Sequence, residues 1–217
     1  MASSIKLEIS KTIPTNITSS LAMSLDHKHF ATLTRQLSTS SSQWIYRLDY
    51  YDAALMEKLE SVDVYNTYDT NKHFLTFVPN PSGRDLIAVA TINNLIFYRT
   101  SPIEQAKKVL HKQPNVYDLR ASPNGELTVL VGQTILIYRT IGFKEIVFPQ
   151  IVENARYCDF STDGLYMVIA STSSINLYTF RRLNDNYQFQ QVPLTVFQAP
   201  VEYGALTSVE FNPSNSS

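Results

Sequence analysis

The chain has 217 residues, 44% of them hydrophobic and 12% aromatic, which suits one folded domain of ordinary size and excludes a disordered chain. Eighteen Lys and Arg against 19 Asp and Glu leave a net charge of −1, so no bulk charge draws nucleic acid or an anionic membrane. The single cysteine, Cys158, excludes a disulfide framework and a cysteine-rich zinc site; no apolar run spans a bilayer and no basic-then-apolar leader opens the chain, so a nuclear or cytoplasmic protein is expected.

In chain order, residues 5–9 (IKLEI) form a first strand-like segment. A first repeat unit covers about 20–70. It has a polar turn at 26–29 (DHKH), an apolar run at 30–33, a polar loop STSSS at 38–42, the segment QWIYR ending at Arg47, and an outer-strand candidate at 60–65. The second unit, about 71–114, has the turn NPSG at 80–83, the run 86–90 (LIAVA), the segment LIFYRT at 95–100 and an outer candidate at 107–112. The third, about 115–153, has a strand at 116–121, the turn SPNG at 122–125, the run 127–131, the segment ILIYRT at 135–140 and an outer candidate at 143–148. The fourth, about 154–200, has a strand at 155–160, the turn STDG at 161–164, the run 166–170, the segment INLYTF at 175–180 and an outer candidate at 188–197. A fifth begins within 205–217, with a strand at 206–211 and the turn NPSN at 212–215.

Two marks therefore recur in register. The tyrosines Tyr46, Tyr98, Tyr138 and Tyr178 stand 52, 40 and 40 residues apart (46 to 98, 98 to 138, 138 to 178). Each unit also carries a polar turn, in which Pro, where present, presets φ, Asn, Asp or Ser bonds its own backbone, and Gly, where present, takes positive φ. Apolar runs without alternation point to strands buried on both faces. Aligned on the turn, Phe77, Leu119, Cys158 and Val209 share one position, which puts the lone thiol in an apolar column. Two segments stay open between helix and outer strand: 52–62, where Asp52 precedes AALMEKLE, and 101–112, where Ser101-Pro102-Ile103-Glu104 has the order of a capping box.

A period near 40 is the length of a propeller blade. The segment SPNGELTVLVGQTILIYRT, residues 122–140, resembles the WD-repeat family in its turn, second strand and third strand, with tyrosine where the family has tryptophan; TSVEFNPS at 207–214 resembles a family first strand. The Gly-His and Trp-Asp pairs are absent, so the chain resembles a divergent member. The resemblance implies an all-β fold, a single domain over 1–217 built as a β-propeller of four-stranded blades, about four of them plus the start of a fifth. Three endings are open: the N-terminal part of a larger propeller, a small ring closed by residues 5–9, or an open one completed by a partner's strand.

No catalytic, metal-binding or cofactor constellation is legible. His27, His29, His73 and His111 lack ligand spacing, and no nucleophile elbow or phosphate loop occurs. Asp159 and Asp163 flank a turn and read as turn caps. The tyrosine column reads as packing. The residues after the tyrosines, Arg47, Arg99 and Arg139, with Arg181 and Arg182 beyond Tyr178, would form an arc on one face able to take an acidic or phosphorylated peptide. The expectation is a non-enzymatic scaffold among other protein subunits. The alternatives are a nucleic-acid- or chromatin-associated propeller using the arginine face, though direct nucleic-acid binding fits the charge poorly, and an enzyme or small-ligand binder at the central channel.

Overall fold

Short runs of β-branched, aliphatic and aromatic residues between polar turns fold as antiparallel hairpins. The computed structural model describes residues 17–38, 43–67, 73–80, 84–91, 93–111, 113, 115–146, 148, 152–183, 186–189, 193–198 and 205–212. The segments 5–9, 39–42, 81–83 and 213–215 lie outside the described residues.

The hairpins build four antiparallel sheets, each using consecutive strands in order. The first holds β1 Ile17–Met23, β2 His29–Leu37, β3 Trp44–Asp52 and β4 Glu57–Thr67; the second holds β5 Phe74–Val78, β6 Leu86–Ala90, β7 Asn94–Arg99 and β8 Glu104–Leu110. The third holds β9 Asp118–Ala121, β10 Leu127–Val131, β11 Ile135–Arg139 and β12 Lys144–Ile146. The fourth holds β13 Ala155–Phe160, β14 Tyr166–Ser171 and β15 Ser174–Leu183, and two strands share its outer position: β16 Asn186–Phe189 pairs the end of β15, and β17 Thr195–Gln198 pairs its start. The single outer strand expected over 188–197 is thus two. No α-helix occurs among the described residues; the one helical turn is a 3-10 turn at Ile141–Phe143.

The open segments 52–62 and 101–112, the latter described to residue 111, are turns followed by outer strands. Their helix-like apolar spacing comes from β-bulges. On β8 the pairs Phe97–Lys107 and Tyr98–Gln105 skip Ala106, and on β4 the pairs Tyr50–Glu60 and Tyr51–Lys58 skip Leu59. An extra residue in an outer strand shifts an alternating pattern to a spacing of three.

The sheets stack in chain order through their faces. One core cluster joins sheets one and two (Leu33, Tyr46, Leu48, Tyr50, Leu75, Ile87, Tyr98), a second joins two and three (Ala88, Phe97, Leu119, Leu130, Tyr138), and a third joins three and four (Val129, Ile137, Cys158, Met167, Tyr178). Neighbouring first strands also touch, β1 on β5, β5 on β9 and β9 on β13. The repeated sheets fit a blade-like arrangement.

Strand register corrects two alignments. Tyr98, Tyr138 and Tyr178 lie opposite Ile87, Thr128 and Met167 and face the preceding sheet; the matching residue in sheet one is Tyr51, opposite Phe30. Tyr46 sits five positions earlier on β3 and faces sheet two, edge-on to His73 with centroids 4.1 Å apart. Likewise the residues matching Leu119 and Cys158 are Leu75 and Leu21, not Phe77. The turn motif starts five residues after Leu75, at Asn80, but three residues after Leu119, at Ser122, and a shift of two keeps the same face. Cys158 is fully buried in the third cluster, and burial pushes its thiol well above the ordinary value.

Gly125 takes φ +67° in the turn between β9 and β10, and a Cβ there would stand 1.5 Å from the Pro79 carbonyl oxygen of the adjacent sheet. Gly142 has φ +79° with nothing within 4 Å. Gly142→Ala carries only the left-handed strain, about 1 kcal/mol. Gly125→Ala adds the collision and costs at least about 3 kcal/mol, roughly 6–12 °C in Tm for a chain of this size. Thermal denaturation of the two variants side by side reads the difference, and equal Tm values would remove the inter-sheet contact from the account.

Candidate functional site

Three turns between first and second strands share one chemistry. Ser24, Ser122 and Ser161 donate their backbone N–H to the carbonyls of His29, Leu127 and Tyr166 at 2.9, 2.9 and 3.0 Å. Their hydroxyls donate to Asp26, Asn124 and Asp163 at 2.7, 2.7 and 2.5 Å. The same acceptor oxygens take the N–H of Lys28, Glu126 and Leu165. The turn at 26–29 is therefore a full copy, with His27 at φ 58° where the others have Gly125 and Gly164. Hydrogen bonds from the Lys28 backbone and the Ser24 hydroxyl hold the Asp26 carboxyl below its usual range, and the Ser161 hydroxyl does the same for Asp163.

Strand order puts the turns between first and second and between third and fourth strands at one end of each sheet. Inter-sheet contacts align these ends: Gly125 meets Pro79, Gly164 approaches Asn124, and the Ile103 N–H donates to Glu60 Oε2 at 2.5 Å. On this turn end, Leu25, Leu55, Ile141 and Leu165 each expose more than half their surface. Leu25 and Leu165 occupy the first–second strand turns of sheets one and four. Leu55 and Ile141 occupy the third–fourth strand turns of sheets one and three.

Of the arginines expected to form an arc, Arg47 does not join it. Arg99 and Arg139 share a register at the turn end, opposite Leu86 and Leu127. The matching residues are Asp52 in sheet one and Thr179 in sheet four, and Arg47 lies opposite Thr34, away from that end. Arg47 Nε bonds Asp63 Oδ1 at 2.8 Å, and Arg99 Nη1 bonds Glu104 Oε1 at 2.7 Å. Both pairs are exposed and contribute little. The side chains of Arg181 and Arg182 lie outside what the structure describes.

The first strands line a groove of about 390 Å³, with Leu21, Met23, Thr76, Asp118 and Arg120 on its walls. Its charged lining residues, Asp118 and Arg120, are paired with each other at 3.4 Å. Among the described residues, no three His, Cys, Asp or Glu side chains are grouped as metal ligands. His27 is exposed in its turn, and His29 stacks on Tyr50 with centroids 5.1 Å apart.

Besides Glu60, two acids each hold a backbone N–H of the following unit. Asp118 Oδ2 accepts the Cys158 N–H at 3.1 Å, and Asp159 Oδ2 accepts the Phe211 N–H at 2.8 Å. Asp163 caps a turn as its position suggests, but Asp159 does not. Its side chain alternates to the opposite face from Cys158 and meets the segment 205–212. Burial pushes the Asp159 carboxyl above its usual range, against the lowering effect of the Phe211 N–H.

No family model matches the chain, and no curated protein matches it. Among solved structures it is similar to a functionally unknown protein from Desulfotomaculum acetoxidans DSM 771, with a TM-score of 0.61 and 13% identity, covering 83% of this chain and 56% of that one. The chain thus spans a little over half the length of that neighbour. At this identity the likeness concerns the fold alone.

A carboxyl whose pKa is raised by folding disfavours its charged form in the fold. Asp159 therefore lowers stability progressively as pH rises from the ordinary value of 3.8 through its raised one. Asp159→Asn keeps an acceptor for Phe211 and raises Tm at pH 7, with the gain fading below about pH 4. Asp118→Ala strands a buried N–H and costs about 1–3 kcal/mol. Denaturation at pH 3 and pH 7 checks both, and a pH-independent Asp159→Asn effect would contradict the burial argument.

Proposed function

We propose that the chain is a non-catalytic scaffold, a divergent WD-repeat-like propeller portion that binds other protein subunits through its turn end. The observation that carries this reading is the placement of Leu25, Leu55, Ile141 and Leu165 in turns at one end of the stack. A turn needs no leucine at its tip, and solvated aliphatic side chains gathered at one end of a fold mark contact surfaces. The paired state of Arg47 and Arg99 favours these apolar residues over the arginines as anchors. The groove supports scaffold over enzyme, since its one acid already accepts two backbone N–H groups and faces Arg120.

The test is co-purification of tagged protein from cells, comparing wild type with Leu25→Asp/Ile141→Asp and with Arg99→Glu/Arg139→Glu. The leucine–isoleucine variant keeps its Tm and loses its partners by at least about tenfold. The arginine variant loses less than about threefold. Partner sets unchanged in the first and lost in the second would replace the apolar surface by the arginine face, and binding that falls steeply with salt would point to nucleic acid.

A further inference from the structure

The four sheets can be compared position by position on the face each turns toward the next. One residue before the register tyrosine, Tyr50, Phe97 and Ile137 are 4%, 0% and 0% exposed, while Leu177 in sheet four is only half-buried. Three residues before it, Leu48, Leu95 and Ile135 are 0%, 0% and 7% exposed, while Ile175 is again half-buried. Phe197, opposite Ile175 on β17, is 57% exposed. The inner half of the same face is sealed: Val168 and Ala170 on β14 are 5% and 0% exposed.

Residues 205–212 run beside that face. The Phe211 N–H is held by Asp159, which lies opposite Val168, and the Leu206 N–H donates to the Thr172 carbonyl at 3.0 Å. Counting from the turn at 212, Val209 takes the position of Cys158 and Leu119. Leu206, Val209 and Phe211 are the half-buried residues of the segment. It stands where the first strand of a further sheet would stand, yet no described strand pairs with it.

The outer edge of sheet four differs too. The outer strands β4, β8 and β12 carry Lys with Glu or Asp, the usual protection of a sheet edge. β17 reads Thr-Val-Phe-Gln, carries no charge, and exposes Val196 and Phe197.

We infer that this face is a docking site for an extended β-strand of another protein, uncharged and aliphatic at alternate positions. It pairs antiparallel with residues 205–211 and lays its aliphatic side chains over Leu177, Ile175 and Phe197, as Thr128 and Leu130 of sheet three face Phe97 and Leu95. The segment 205–211, anchored at Leu206 and Phe211, sets the geometry of the occupant, and the apolar, charge-free surface sets its chemistry. The inference names a second surface of the proposed scaffold and rests on that reading; the turn-end variants test the reading separately.

The probe is a strand with the sequence of residues 127–134 of this chain (LTVLVGQT), tethered by a Gly-Ser linker after residue 217 so that its effective concentration reaches about the millimolar range. Hydrogen exchange of amides 205–211 slows at least tenfold, amides of sheets one to three do not change, and Phe197→Asp, which alters an exposed residue, abolishes the protection. Unchanged exchange with the tethered strand overturns the inference. So does protection that appears without the strand as protein concentration rises, which would assign the face to a second copy of the chain.

Discussion

Every inner sheet has to bury both of its faces. β6 and β10 are the clearest cases, since all five residues of each are buried. Alternate side chains go to opposite neighbours: Ile87 and Val89 to sheet one, Leu86, Ala88 and Ala90 to sheet three. A side chain of this size contributes about 1.5–3 kcal/mol when fully buried, against about 1 kcal/mol net for a hydrogen bond. With nine to twelve buried residues in each cluster, the apolar faces hold the stack together.

The polar groups then have a different task, because apolar faces can slide. Asp118 reaching Cys158, Asp159 reaching Phe211, and Glu60 reaching Ile103 each fix a backbone N–H of one unit against a side chain of the unit before it. Gly125 against Pro79 fixes the turn ends sterically. Arg156 lies over the Tyr117 ring at 3.6 Å and adds a third kind of tie between sheets three and four. A carboxylate lodged between sheets is not poised to act on a ligand. In the groove, Asp118 is thereby held by the Leu119 and Cys158 N–H groups and by Arg120.

The repeat was legible because its signals are local. A Ser followed two residues later by Asp or Asn announces the turn, and a five-residue aliphatic run announces the strand after it. What escaped sequence reading is non-local or depends on register. Tyr46 and Tyr51 are both tyrosines on one strand, and only the pairing with Phe30 or Arg35 tells which one stands in the column. A bulge such as Ala106 imitates helical spacing until the partner strand is seen. The partner of Asp118 lies 40 residues away and that of Asp159 lies 52 away, beyond any motif. The leucines of the turns stand openly in the sequence, but aliphatic residues near strands read there as core.

The two ends of the stack are chemically unlike. On the outward face of sheet one, Thr32 stands where the other sheets have Val89, Leu130 and Ile169, and Asp49 stands where they have Ile96, Leu136 and Asn176. Asp49 is satisfied there by Thr34 and Lys58, both at 3.4 Å, and Phe30 stacks flat on Tyr51 with centroids 4.6 Å apart. Leu21 and Met23 remain exposed beside them. On the outward face of sheet four the corresponding middle positions stay aliphatic, with Leu177 and Ile175 backed by Val168 and Ala170. A face bearing a hydroxyl, a carboxylate and an ammonium in mutual contact tolerates water at its margin. A face of Leu, Ile and Phe loses free energy with every apolar side chain left wet. The outward face of sheet four is thus the more apolar of the two, and the segment 205–212 lies beside it, held at Leu206 and Phe211.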